Sequence, residues 1–193
     1  RTLHTLGEYA DIIHRSGAAS VRMVATSATR DAANAAEFSA AVMMILGQPP
    51  EVLTGAEEAA LSFAGATAEL AGGPALPGPY LVVDIGGGST EFALGDPDSP
   101  NGLAACSMDI GCVRMTERHL RSDPPQLDEL AEVRAEIDVL LADVHPPATE
   151  LVLAVGGGAT TLAAASGGEL VPATIARILA VLLAEPAAEA AKR

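Results

Sequence analysis

The sequence predicts an α/β protein, a partly parallel sheet covered by helices, on two observations. From Leu3 to Ala71 the patterns alternate as helix, strand, helix, strand, helix. Further on, two triple-glycine turns, Gly86-Gly87-Gly88 and Gly156-Gly157-Gly158, each follow a short apolar run that reads as a strand.

The elements follow in order. Apolar residues at Leu3, Leu6, Tyr9, Ala10, Ile12 and Ile13 recur near every 3.6 residues, which predicts an amphipathic helix ending at Ser16-Gly17. Val21 to Ala25 reads as a strand, Ala33 to Leu46 as a helix stopped by Gly47, Glu51 to Leu53 as a short strand, and Ala56 to Ala71 as a second long helix. Gly72 to Pro79 is the densest cluster of glycine and proline, so the domain boundary is placed there: 1–73 as one domain, 74–79 as linker and 80–193 as the second domain. Beyond it, Tyr80 to Asp84, Glu91 to Leu94 and Gly102 to Ile110 are expected to form a meander. Gln126 to Val144 reads as a helix, Leu151 to Val155 as a buried strand, Ala159 to Ala165 as the start of another helix, and Ile175 to Ala184 as the last.

Composition narrows the function classes. With 193 residues and 49% hydrophobic content the chain can bury a core. No apolar run reaches the roughly 18 to 20 residues of a membrane span, and Arg1 to Glu8 lacks the layout of a secretory signal, so the protein is expected to be cytoplasmic. A net charge of −14 and the absence of Trp argue against nucleic-acid binding, which relies on Lys, Arg and stacking aromatics. The same charge repels polyphosphate. A phosphate site would therefore have to use backbone N–H groups, a metal ion and a few placed arginines. Cys106 and Cys112 show no ligand spacing and are expected to be small core residues, while His4, His14, His119 and His145 are expected at the surface.

Four segments could carry chemistry. Asp84-Ile85-Gly86-Gly87-Gly88-Ser89-Thr90-Glu91 ends an apolar strand. Its glycines let backbone N–H groups approach an anion, and Ser89 and Thr90 offer hydroxyl donors. Asp84 and Glu91 would repel bare phosphate, but make sense holding Mg²⁺ or orienting water. The plainer alternative is a hairpin turn with two solvated acids. No Gly-Lys-Ser/Thr ending is present and no helix follows, which excludes a Walker site. Ala25 to Asn34 runs from strand end into helix, where Arg30 could clamp a phosphate or simply be solvated beside a helix cap. In Leu53 to Phe63, Thr54 and Glu57 fit a capping box, which leaves Glu58 over as a first-turn acid. Ala154 to Ala163 is a strand, glycine turn and helix start with only a weak likeness to a dinucleotide fingerprint.

Taken in order, the segments ATSATRDAAN, LTGAEEAALSF, VVDIGGGSTEFALG and MDIGCVRMTERHL resemble the exopolyphosphatase and guanosine pentaphosphate phosphohydrolase family. The resemblance spans nearly the whole chain and implies an actin-like (ribonuclease H-like) two-domain fold, truncated at both ends. It implies Glu58 as catalytic base, Asp84 and Glu91 as the acidic metal site for Mg²⁺ (or Mn²⁺), Arg30 as a phosphate-neutralising cation, and Gly86, Gly87, Gly88 and Ser89 as the cradle for terminal phosphates. The site would be an interdomain cleft. The substrates implied are inorganic polyphosphate or guanosine pentaphosphate, with a homodimer as the assembly allowed for the full-length protein. Two departures stand out. A hydroxyl is missing at Gly158 where the family commonly has Gly-Thr-x-Thr-Thr, and the family's Asp-x-Gly-x-Asn-Ser loop is absent. The isolated chain is therefore expected to be inactive. The rival readings are a non-catalytic module binding polyphosphate or guanosine tetraphosphate, and an actin-like ATPase or sugar kinase.

Overall fold

The computed structural model describes residues 1–68, 70, 78–96, 99–147, 149, 151–168 and 170–192. It divides into two compact units, Arg1–Glu58 and Ala59–Arg193. Most of the breaker cluster at 72–79, including residues 74–77 of the expected linker, lies outside the described residues.

In the first unit α1 (Thr2–Ser16) packs against α3 (Ala35–Leu46), and two short strands, β1 (Val24–Ala25) and β2 (Glu51–Val52), pair in parallel. The strand expected from Val21 is shorter because its ladder can run only as far as its single partner. Before Val24 the polar backbone is satisfied differently, with the Val21 carbonyl accepting from Gln48 Nε2 at 2.6 Å. Between β1 and α3 lies a one-turn helix, α2 (Ser27–Arg30), that the sequence reading took for the approach to a single helix.

In the second unit four strands lie in the order β5-β4-β3-β6. β3 (Tyr80–Ile85), β4 (Thr90–Asp96) and β5 (Ser99–Met108) form the expected antiparallel meander, and β6 (Leu151–Val155) joins the other side of β3 in parallel. One face of the sheet is packed by α4 (Gly55–Ala68), where Ala59 and Phe63 meet Tyr80, Val82 and Ala93, with Leu151, Leu153 and Val155 against the cluster. Strand side chains alternate between faces, so this face of β3 and β4 also carries Asp84 and Glu91. β6 corrects the expectation of a buried strand. It is an edge strand with alternating exposure, and Val152 is 56% exposed.

The remaining elements are α5 (Cys112–His119), α6 (Leu127–Leu141), α7 (Gly157–Ser166), α8 (Pro172–Leu182) and the single turn α9 (Ala187–Ala190). α5 is not evident in the sequence because its eight residues are mostly polar and span only about two turns, too short a run for a helical period to stand out. α6 begins with a capping box of Gln126 and Glu129. The Gln126 backbone N–H holds the Glu129 carboxyl below the usual carboxylate range against the cost of burial, and the Arg121 N–H adds to it.

Both cysteines are exposed rather than in the core, Cys106 on the edge strand β5 and Cys112 at the first position of α5. His119 is likewise not a surface residue. Its side chain is 15% exposed, with one ring nitrogen 2.5 Å from Glu136 and the other 3.6 Å from Glu132, so it ties α5 to α6. Among the described residues no helix is long and apolar enough to cross a membrane.

Candidate active site

The eight residues singled out in the sequence fall into two groups. In the first unit Arg30, the last residue of α2, donates from Nη1 to the Leu53 carbonyl at 2.6 Å, and the same nitrogen lies 3.8 Å from Glu58 Oε2. Arg30 thus steadies the segment that leads into α4 and pairs with the acid in its first turn. Glu58 is not a solvated surface acid, since its side chain is 17% exposed. Its neighbour Glu57 is the capping residue, as the spacing predicts. The Thr54 backbone N–H donates to Glu57 Oε2 at 2.8 Å and the Thr54 hydroxyl donates to the same oxygen at 2.7 Å, and these two bonds hold the Glu57 carboxyl below its usual range, while the Glu57 N–H donates back to Thr54 Oγ1 at 3.3 Å.

In the second unit Asp84 sits near the carboxyl end of β3, directly opposite Glu91 on β4 and paired with Val155 on β6. Ser62 of α4 donates its hydroxyl to Asp84 Oδ2 at 2.5 Å. Sequence reasoning missed Ser62, whose partner is 22 residues away and is supplied only by packing of α4 on the sheet. Gly156 opens the turn after β6 with φ 96°, and a Cβ there would lie 2.6 Å from the Ile85 carbonyl oxygen and 3.2 Å from Asp84 Oδ1. Only glycine permits both that backbone conformation and that approach. Glu91 is 2% exposed, and its Oε1 accepts from Ser107 Oγ at 2.6 Å. Among the described residues no group of three or more His, Cys, Asp or Glu gathers as a metal site.

Between these two acids the Gly86–Ser89 turn closes on itself, with the Gly86 N–H donating to the Ser89 carbonyl at 3.0 Å. Its other carbonyls are taken up by the start of α5. Gly86 O accepts from the Cys112 N–H at 3.0 Å, Gly87 O from the N–H groups of Val113 at 2.9 Å and Arg114 at 3.0 Å, and Gly88 O from Arg114 Nε at 2.6 Å. These peptide bonds are trans, so each N–H points opposite to the carbonyl of the same peptide plane. The N–H groups of Gly87, Gly88 and Ser89 consequently all point away from α5. Three successive amides aimed to one side suit an anion, because the carbonyl oxygens that would repel it are turned to the other side.

Of the two hydroxyls expected to help, Thr90 Oγ1 is committed to the Ile110 carbonyl at 2.5 Å, which corrects its reading as a ligand donor. Ser89 is 2% exposed. The turn's support comes from Gly111 and Arg114, to which the sequence reading gave no role. Gly111 caps α5 against the loop, and a Cβ there would lie 2.3 Å from the Gly87 oxygen.

Residues 1–179 match the Ppx/GppA phosphatase family. The chain is 44% identical over 173 residues to Exopolyphosphatase 2 of Mycobacterium tuberculosis, covering 85% of this chain and 52% of that protein. It is 40% identical over 116 residues to the guanosine-5'-triphosphate,3'-diphosphate pyrophosphatase of Vibrio cholerae, covering 60% of this chain and 22% of that protein. Among solved structures, the Aquifex aeolicus PPX-GPPA enzyme superposes with a TM-score of 0.72 at 30% identity, covering 100% of this chain and 66% of that one. The chain spans about half the length of the mycobacterial protein it matches. With the match running across almost the whole chain, and with the α/β fold in common, the chain belongs to the Ppx/GppA phosphatase family.

Proposed function

We propose that this chain carries part of the site of a hydrolase that removes the terminal phosphate from inorganic polyphosphate or from the 5′ end of guanosine pentaphosphate. The observation that carries the reading is the set of three N–H groups of Gly87, Gly88 and Ser89, aimed to one side of a loop whose carbonyls are tied to α5. In a chain of net charge −14, an anion has to be met by such local donors rather than by a basic surface. Both substrates end in the same phosphoanhydride, so one cradle serves either.

The roles then follow from the physics of phosphoryl transfer, in which positioning and charge stabilisation dominate. The Gly86–Ser89 turn holds the terminal phosphate by its amides. Glu58 is the general base for the attacking water, and Arg30 beside it offsets negative charge and fixes the carboxylate. The donor chemistry of the second unit fits Mg²⁺ or Mn²⁺. Such an ion commonly takes one or two carboxylates and completes its shell with water and phosphate oxygens, and Asp84 lies beside the phosphate turn. Asp84 would be the direct ligand, while Glu91, enclosed and bonded to Ser107, would act from behind it. When bound, the ion supplies Lewis-acid stabilisation of the phosphate oxygens.

The rival reading of a binding module predicts phosphate binding without turnover. A phosphate-release assay on the protein at the length of its relatives, using polyphosphate and guanosine pentaphosphate with Mg²⁺ or with excess chelator, separates the two. Turnover is expected with Mg²⁺ only, and Asp84→Ala is expected to remove it. Full turnover in chelator would overturn the metal role, and binding without any release would favour the module.

A further inference from the structure

We propose that Arg114 is a positioning residue: it sets the peptide plane between Gly88 and Ser89, and does not serve as a cation for the substrate. The inference rests on the phosphate-loop reading and assigns the part that holds that loop. Arg114 Nε donates to Gly88 O at 2.6 Å, its backbone N–H donates to Gly87 O at 3.0 Å, and its Nη2 lies 3.4 Å from Asp109 Oδ1. The guanidinium is therefore divided between a loop carbonyl and a carboxylate on the segment just before α5. Its charge is offset by Asp109, and its side chain is only 21% exposed.

What Arg114 does for an anion is indirect. By drawing the Gly88 carbonyl toward α5 it turns the Ser89 N–H, in the same peptide plane, the other way. Without that bond the Gly88–Ser89 peptide is the least constrained of the three, because Gly86 O and Gly87 O are held by backbone N–H groups of α5 itself. Glycine on one side makes a flip of that plane sterically inexpensive. A flipped plane would present a carbonyl oxygen where the amide should be, converting an attractive dipole into a repulsive one.

Charge and position can be separated by two substitutions. Gln carries an N–H donor at the same distance along the side chain as Arg Nε but no charge, whereas Lys keeps the charge and has a methylene at that place. The experiment titrates tripolyphosphate with Mg²⁺ into the chain by calorimetry. Alongside it, the amide ¹H–¹⁵N positions of Gly88 and Ser89 are recorded without ligand. Arg114→Ala and Arg114→Lys are expected to weaken binding about tenfold and to move both amide signals, while Arg114→Gln recovers most of the loss and leaves the signals in place. Binding retained in Lys and lost in Gln would overturn the proposal in favour of a direct cation, and so would amide signals unmoved in all three variants. If the parent chain itself fails to bind, the phosphate reading falls, and the amide positions still decide whether Arg114 holds the loop.

Discussion

Replacing Glu58 by Gln, in the protein at the length of its relatives, is expected to lower phosphate release from long-chain polyphosphate by about 10² to 10⁴ with little change in KM. The carboxylate sits in the first turn of α4 with its side chain 17% exposed and Arg30 at 3.8 Å, so an amide of the same shape keeps the packing while removing the proton acceptor and the charge paired with Arg30. Arg30 stays bonded to the Leu53 carbonyl in either case, which keeps the start of α4 in place. Glu57→Gln is the matched control. It disturbs a solvent-exposed cap and is expected to change turnover by less than about threefold. A Glu58→Gln protein within about threefold of the parent would remove Glu58 from the mechanism.

The second large effect is expected at Gly111, a position that contributes no functional group. A methyl there would lie 2.3 Å from Gly87 O, 2.4 Å from Gly87 C and 2.5 Å from Gly88 C. All three are backbone atoms of the loop and cannot swing aside as the end of a side chain could. Either α5 lifts, breaking the bonds from Cys112, Val113 and Arg114, or the loop moves and its amides lose their common direction. A displacement of about 1 Å at such a site can cost roughly 10²-fold in rate, so Gly111→Ala is expected to lose turnover on that scale and most of its phosphate affinity. Gly65→Ala within α4, where nothing lies within 4 Å, is the control and is expected to be neutral or slightly stabilising. Circular dichroism separates loss of the loop from loss of the fold. A folded Gly111→Ala protein with unchanged affinity would mean that the loop does not depend on α5.

What could be read from the sequence was what local chemistry dictates. The helix ending at Gly17, the capping box of Thr54 and Glu57, the meander and the position of β6 all follow from spacing and from turn residues. The Gly86–Ser89 turn was legible because three glycines after an apolar run mark a tight backbone turn. Its support was not legible. Arg114 and Gly88 are 26 residues apart, and Ser62 and Asp84 are 22 apart, so each pair exists only once β5 has returned along β4 or α4 has packed on the sheet. Cys106 and Cys112 were misplaced for a similar reason. A small apolar residue suits a core by type, but Cys106 lies on the edge strand β5 and Cys112 at the first position of α5, and both are exposed there. Thr90 was misassigned because its hydroxyl found a carbonyl 20 residues on.

The most direct measurement follows the amide ¹H–¹⁵N signals of Gly87, Gly88 and Ser89 while tripolyphosphate is added with Mg²⁺. If this loop cradles the terminal phosphate, these three signals move first and saturably, and signals in α6 and α8 stay in place. Saturable shifts elsewhere, with these three amides unmoved, would contradict it.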